Sequence, residues 1–391
     1  MTAMAQAPGR ILVVDDTEAN RDLLVRRLQR QGHATDTATD GQQALDMLRA
    51  SAFDMVLLDI MMPVMNGYEV LERIRADDGL RHVPVVLISA LGDGESIVKG
   101  IELGADDYLP KPFNPHILRA RVDASLAKKR LHDREQMHAR SLERELEIAR
   151  KIQAGFLPEA LPEAPGWELA TWFQPARQVS GDFYDAFPVL GGTRTVLVVA
   201  DVCDKGVGAA LFMALFRSLF RVLAERLFTS GGDNAAQVRE LVSGVNDYIA
   251  RTHGRANMFA TVFAAVLDPA TGDLVYVNGG HEAPMLAGLQ GVRERLAPTG
   301  PAVGMMEGLP FLSGHVVMGP GEVLVAFTDG VTDALCADGT RFSEERLLGL
   351  LARPVQSADG AVDGIRAELR VSTHDEAFDD VTLLVVRRGA S

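Results

Sequence analysis

The sequence predicts an α/β doubly wound domain with a five-stranded parallel sheet, then a helical linker, then an α+β sandwich. Three observations carry this. Over residues 9–127, short apolar runs alternate with segments of helical spacing. From Ala127 there is no Gly or Pro until Gly155, and Arg, Glu, Lys and Leu crowd the stretch, which favours helix at nearly every position. Past Pro158 the texture changes to strand candidates around two pairs of helical patterns. The expected boundaries are 9–127, 128–158 and 159–391.

Length and composition narrow the function. The 391 residues suffice for two or three domains with cores of their own. A net charge of -14 argues against nucleic acid as the main partner. Cys203 and Cys336 have no metal-site spacing and suggest no disulfide framework, so a reducing cytoplasm is expected. Met1–Gly9 is short and mixed and does not read as a signal peptide. The long apolar run Val207–Phe228 contains Arg217, Arg221, Glu225 and Arg226, so it is expected to be a core helix and no membrane partner is anticipated.

In the first domain, Ile11–Val14, Ala34–Ala38, Met55–Leu58, Val83–Ile88 and Asp107–Leu109 read as strands. Helical spacing falls at Asn20–Leu28, Gln43–Leu48, Val70–Ile74, Ile97–Leu103 and Ile117–Leu126. In doubly wound sheets the site lies beyond the carboxyl ends of the strands. Those ends carry Asp15, Asp16, Asp59, Ser89 and Lys111. Carboxylate oxygens suit a hard cation such as Mg²⁺. A lysine offsets phosphate charge, and a carboxylate can itself accept a phosphoryl group.

VVDD ending at Asp16, DMVLLDIMMPVMNGYEVL around Asp59, VVLISA around Ser89 and GADDYLPKPF around Lys111 resemble the response-regulator receiver domain over about 120 residues. The resemblance implies phosphorylation of Asp59 by a histidine kinase. It implies Mg²⁺ held by Asp15, Asp16, Asp59 and the Ile60-Met61 backbone, with Lys111 on the phosphoryl group. Ser89 and Tyr108 would be the switch pair.

The linker places Leu142, Leu146, Ala149, Ile152 and Phe156 mostly on three- and four-residue steps, while the pattern before Leu142 is weak. A helix that needs a partner along its second half is expected. A homodimer through the receiver and this helix, as a coiled coil carrying a signal, is the sharper expectation, and a spacer the plainer one.

In the last domain, strand candidates are Trp167–Phe173, Val179–Phe187, Thr195–Val202, Phe259–Leu267, Leu274–Val277, Phe311–Met318, Val323–Phe327 and Val381–Arg387. Helical patterns fall at Ala209–Phe228, Ala235–Arg251, Ser343–Leu351 and Ala361–Val371. Aspartates punctuate the strand ends: Asp182 and Asp185, Asp201, Asp329 and Asp333, Asp379 and Asp380. If four of them converged, each like-charged pair at ~4 Å would cost roughly 4 kcal/mol at an effective dielectric near 20. Such a cluster would need cations, and spacing alone does not show that it forms.

SGDFYD, VADVCDKGVGAALFMA, MFATVF, NGGHEAP, PTGPAVG, FTDGVTDA and DDVTLLVV resemble, in order, the SpoIIE/RsbU-like serine phosphatases of the protein phosphatase 2C (PPM) superfamily, from about Glu147 to Arg388. The resemblance implies an α-β-β-α sandwich and a metal-dependent phosphoserine/phosphothreonine phosphatase. Asp182, Asp201, Asp329 and Asp379, the Val202 carbonyl and Asp380 would hold two Mg²⁺ or Mn²⁺ ions around an attacking water. The substrate implied is a phosphorylated STAS-domain anti-sigma-factor antagonist in a partner-switching pathway.

These phosphatases usually read DVSGKG or DVSGHG, whereas this chain has Asp201-Val202-Cys203-Asp204-Lys205-Gly206. Cys203 replaces a common Ser and is not expected to be a nucleophile, the general acid is unassigned, and His281 reads as structural. Arg177 and Lys205 are candidate phosphate contacts. The rival reading is an adaptor with an inactive phosphatase fold, against which the retained carboxylates argue.

Overall fold

The computed structural model of the protein describes residues 8–90, 94–335, 340–369 and 379–390. Cys336 and the end of the helix expected to reach Val371 lie outside the described residues. β1 (Arg10–Val14), β2 (Ala34–Ala38), β3 (Met55–Asp59), β4 (Val85–Ala90) and β5 (Asp107–Lys111) pair in parallel, in the order β2-β1-β3-β4-β5. Leu12, Val14, Val56 and Leu58 face α2 (Gly41–Ala50) and α3 (Gly67–Ala76). Ile11, Val13, Met55 and Leu57 face α1 (Glu18–Arg30) and the start of α5. Both faces are covered, so the strands are apolar throughout rather than alternating. α4 spans Gly94–Glu102.

α5 (Pro115–Ala154) is one helix of 40 residues, about 60 Å long at 1.5 Å per residue. Leu118, Val122 and Leu126 enter the first core. Farther along, Leu131, Met137, Leu142, Ile148 and Ile152 are exposed. Backbone contacts divide the chain into two compact units, residues 1–142 and 143–391, a division that falls inside this helix.

The second unit holds two antiparallel five-stranded sheets. One combines β7 (Phe183–Val189), β8 (Arg194–Val202), β9 (Ala260–Leu267), β10 (Asp273–Gly279) and β13 (Gly314–Val317), in the order β13-β10-β9-β8-β7. The other combines β6 (Trp167–Gln174), β11 (Met285–Gly288), β12 (Gly291–Arg295), β14 (Val323–Phe327) and β15 (Val381–Arg388), in the order β12-β11-β14-β15-β6. In β8, Val196, Val198, Ala200 and Val202 pack under α6 (Val207–Leu227) and α7 (Asn234–His253), while Leu197 and Val199 face the other sheet. In β14 and β15, Val323, Val325, Leu383 and Val385 pack on α9 (Ser343–Leu351) and α10 (Ala358–Glu368). Leu324, Ala326, Leu384 and Val386 point back between the sheets. The result is four layers, α-β-β-α, with α8 (Asp329–Asp333) as a single short turn at a sheet end.

Three local expectations are corrected. β7 begins at Phe183 rather than Val179, because residues 179–182 form a turn that reaches toward other strand ends. β13 begins at Gly314; Phe311 instead plugs the core and leans on Gly300. The β11–β12 hairpin was not anticipated, although Gly288 and Gly291, the latter at φ 95°, frame its Leu289-Gln290 turn. α6 is long and apolar enough to cross a membrane by length and composition. Here its face of Ala209, Met213, Phe216, Phe220 and Ala224 is buried in the core. Its Arg217 and Arg221 both pair with the buried Asp185, at 3.0 and 2.7 Å.

Candidate functional site

In the first unit, the strand ends bring Asp15, Asp16 and Asp59 together, each offering an oxygen within 4.8 Å of the others. Asp15 and Asp59 are buried and Asp16 is exposed. Lys111 Nζ sits 3.1 Å from Asp15 and 2.9 Å from Asp59. Burial pushes the Asp59 carboxyl above its ordinary value; the Lys111 hydrogen bond opposes this and the Asp15 charge adds to it. An all-oxygen trio open on one side fits a hard divalent cation.

Gly67 explains how α3 reaches this site. A Cβ there would lie 2.3 Å from the Asp59 carbonyl oxygen, so only glycine lets the helix start press against the loop. Asn66 caps that start in a capping box with Glu69. The Gly67 amide donates to the Ile60 carbonyl at 2.9 Å. The Ile60 carbonyl thus has one hydrogen bond to the start of α3. Met61 next to it is exposed. Ser89 is buried with no hydrogen-bond partner for its hydroxyl, beside a small cavity that Ile60, Leu87, Gly100 and Tyr108 also line. Tyr108 is half-buried, with the Arg121 guanidinium 5.4 Å from its ring centre.

In the second unit, Asp182, Asp201, Asp329 and Asp379 come from four separate segments and lie close enough for their charges to act on one another. Two glycines make this possible. A Cβ on Gly181 would stand 2.8 Å from the Val202 carbonyl, and one on Gly330 would stand 1.8 Å from the Asp380 carbonyl. Only backbone without side chains lets the Asp182 turn approach Asp201, and lets α8 carry Asp329 up to Asp379.

The electrostatics record the proximity. Asp182 is fully buried, and burial together with the Asp201 charge pushes its carboxyl well above the usual range. Burial, and then the Asp329 charge, pushes Asp201 up to about 7. Burial and the Asp379 charge raise Asp329 as well. Lys205 Nζ is 2.8 Å from Asp379. Four acids with one lysine among them leave a negative site with oxygen donors, which fits divalent ions. Among the described residues the tight three-acid group is that of the first unit.

Asp380 does something other than the expected ligation. Its Oδ1 accepts from the Ala176 amide at 2.7 Å. Its Oδ2 accepts from Ser180 Oγ at 2.7 Å and the Gly181 amide at 3.0 Å. Both oxygens are spent bracing the turn that holds Asp182. Sequence reasoning missed Thr328 and Thr382, whose hydroxyls donate to Asp182 Oδ2, each at 2.7 Å. It also missed Ser180 and Gln153; a hydroxyl or amide beside an apolar run carries no signal of its own.

The remaining candidates separate cleanly. Cys203 Sγ accepts from the Phe259 amide at 3.3 Å, and burial pushes its thiol up, away from the thiolate a nucleophile needs. Asp204 adopts a left-handed backbone, φ 73°, which accounts for glycine being usual there. His281 is buried, with Nδ1 2.8 Å from Thr261 Oγ1, and burial lowers it to about 4, so it is a neutral structural group. Asp185 is an ion-pair anchor for α6, Asp333 pairs with Arg341 at 3.2 Å, and Arg177 is exposed.

Comparisons with known proteins agree with this division. The family model for Stage II sporulation protein E (SpoIIE) matches residues 191–389, half of the chain, and the response regulator receiver domain matches residues 11–123. Protein IcfG of Synechocystis is 42% identical over 266 residues, which cover 62% of this chain and 41% of that protein. DNA-binding response regulator MtrA of Mycobacterium leprae is 47% identical over 117 residues, 30% of this chain and 51% of its own length. The chain thus spans about half or less of these curated relatives. The SiaA-PP2C domain of Pseudomonas aeruginosa shares the fold at TM-score 0.53 and 19% identity, covering 64% of this chain and 98% of that one. The chain therefore belongs to the SpoIIE family, its phosphatase-type domain preceded by a response-regulator receiver.

Proposed function

We propose that this protein is a two-component response regulator in which phosphorylation of Asp59 controls a metal-dependent phosphoserine/phosphothreonine phosphatase. The observation that carries the reading is the set Asp182, Asp201, Asp329 and Asp379, drawn together from four segments on the same chain as the Asp15–Asp59–Lys111 site. Asp182, Asp201, Asp329 and Asp379, with the Val202 carbonyl, would hold two Mg²⁺ or Mn²⁺ ions. When bound, these ions would supply Lewis-acid activation of a water and of the phosphate. Asp201, whose charge is felt with those of Asp182, Asp329 and Asp379, would be the central ligand of the set. Lys205 neutralises Asp379 and reaches the substrate phosphate. Asp380, Thr328 and Thr382 orient Asp182 and touch no substrate.

In the receiver, Asp15, Asp16, Asp59 and the Ile60-Met61 backbone would hold Mg²⁺, and a histidine kinase supplies the phosphoryl group to Asp59. Lys111 steadies that group, and Ser89 and Tyr108 respond to it. The helix α5 passes the state onward, as a homodimer whose second half pairs along Leu142, Leu146, Ala149 and Ile152. The substrate is a phosphorylated STAS-domain anti-sigma-factor antagonist in the cytoplasm; this last step rests on family analogy. Release of phosphate from a phosphoserine peptide with Mn²⁺ tests the core of the reading. Turnover lost in Asp329→Ala supports it, and turnover unaffected by that change sinks it.

A further inference from the structure

The last turn of α5 is fastened to the turn that carries Asp182. Gln153, one residue before the helix ends, is 6% exposed, whereas Ile152 and Ala154 on either side are exposed. Its Nε2 donates to the Ser180 carbonyl at 2.7 Å, and its Oε1 accepts from the Ser180 amide at 3.0 Å. One side-chain amide thus satisfies both backbone polar groups of a single buried residue, as a neighbouring strand would.

Ser180 passes the restraint on. Its Oγ donates to Asp380 Oδ2 at 2.7 Å and accepts from the Asp182 amide at 3.0 Å. The Asp182 carboxylate in turn is held by Thr328 and Thr382. The last turn of α5 cannot shift without dragging the Ser180 backbone or breaking two buried hydrogen bonds. An apolar side chain of equal length would fill the same space, so packing alone does not call for an amide here.

We infer that Gln153 is a positioning residue that ties the geometry of Asp182, and with it the metal-binding set, to the placement of the end of α5. The inference rests on the proposed metal-dependent reading. It makes Gln153 the point at which movement of the helix becomes a change in metal affinity, without Gln153 touching metal or substrate.

The test is Mn²⁺ titration by calorimetry of the full-length, chelator-treated chain, with Asp16→Asn and Asp59→Asn in every sample, including the reference with native Gln153, to remove the receiver's own cation site. Gln153→Met keeps length and bulk and loses both hydrogen bonds; weakening of Mn²⁺ binding by about tenfold or more is expected, the size typical of residues that orient metal ligands. Gln153→Glu keeps the acceptor and should fall between the two. Val238→Ala, a core change in α7, should lower the melting temperature and leave Mn²⁺ affinity unchanged. If Gln153→Met does not fold, Gln153→Glu and the shorter Gln153→Asn read the same constant. Reference affinity in the folded Gln153 variants would overturn the inference while leaving the phosphatase reading intact. A reference chain that binds no Mn²⁺ would overturn both.

Discussion

Thr328 donates its hydroxyl to Asp182 Oδ2 across 2.7 Å, joining the strand end that leads into Asp329 to the turn that carries Asp182. The same oxygen of Thr328 accepts from the Thr382 amide at 3.1 Å. Thr328→Val keeps the shape and removes both bonds from a fully buried site. A loss of about 1–3 kcal/mol in unfolding free energy is expected for stranding buried polar groups. Urea titration reads the stability, and calorimetry should show weaker Mn²⁺ binding in the same variant.

The raised carboxyls give a signed pH dependence. In the unfolded chain Asp182 and Asp201 ionise near pH 4. In the folded chain Asp201 titrates at about 7 and Asp182 is well above its usual range. Between those values the folded state holds protons that the unfolded state has lost. The contribution of this site to stability is therefore present at low pH and lost as pH rises through about 7. Divalent ions bound as proposed would replace those protons. The rise in melting temperature on adding Mn²⁺ should be larger at pH 8 than at pH 5.5, and an equal rise at both would contradict the assignment.

Asp185 looks in sequence like a partner of Asp182, three residues away, and the structure separates them. It is 1% exposed and held by Arg217 and Arg221 from α6. Asp185→Ala leaves Arg217 without its counter-ion in a poorly exposed place. Breaking a buried pair in this way costs about 3–5 kcal/mol. The melting temperature should fall steeply, while Mn²⁺ affinity measured below the transition stays at the wild-type value.

These cases show what was legible. Receiver strands and their terminal Asp15, Asp59 and Lys111 stand out because each apolar run ends on a chemically distinct residue. The aspartates of SGD, ADV and TDG were visible in the same way. Whether each faces the site, the core or a loop was not, because that depends on which backbone comes near. Asp380 and Asp379 are adjacent, yet one braces a turn 200 residues away and the other meets Lys205. Gln153 sits in a polar helical stretch, and its partner is a backbone group, which no side-chain pattern announces. The β11–β12 hairpin was hidden by its short, partly polar strands, although Gly288 and Gly291 frame the turn.

Because α5 is one helix from Pro115 to Ala154, its phase is open to test. Inserting two residues after His138 turns one half against the other by about 200°. Inserting seven, close to two full turns, nearly restores the phase. The two-residue insertion should abolish the effect of receiver phosphorylation on phosphatase rate, and the seven-residue insertion should retain it. An unchanged effect with two residues would rule out rigid transmission through the helix.

The central claim is that one chain couples an aspartyl-phosphate switch to metal-dependent dephosphorylation. Its most direct measurement is the Mn²⁺-dependent release of phosphate from a phosphoserine substrate, with and without a small-molecule phosphodonor for the receiver. The wild-type rate should differ between the two receiver states, Asp59→Asn should show one rate in both, and Asp329→Ala should show none. No turnover by the wild-type chain in either state, or a donor effect that persists in Asp59→Asn, would contradict the account.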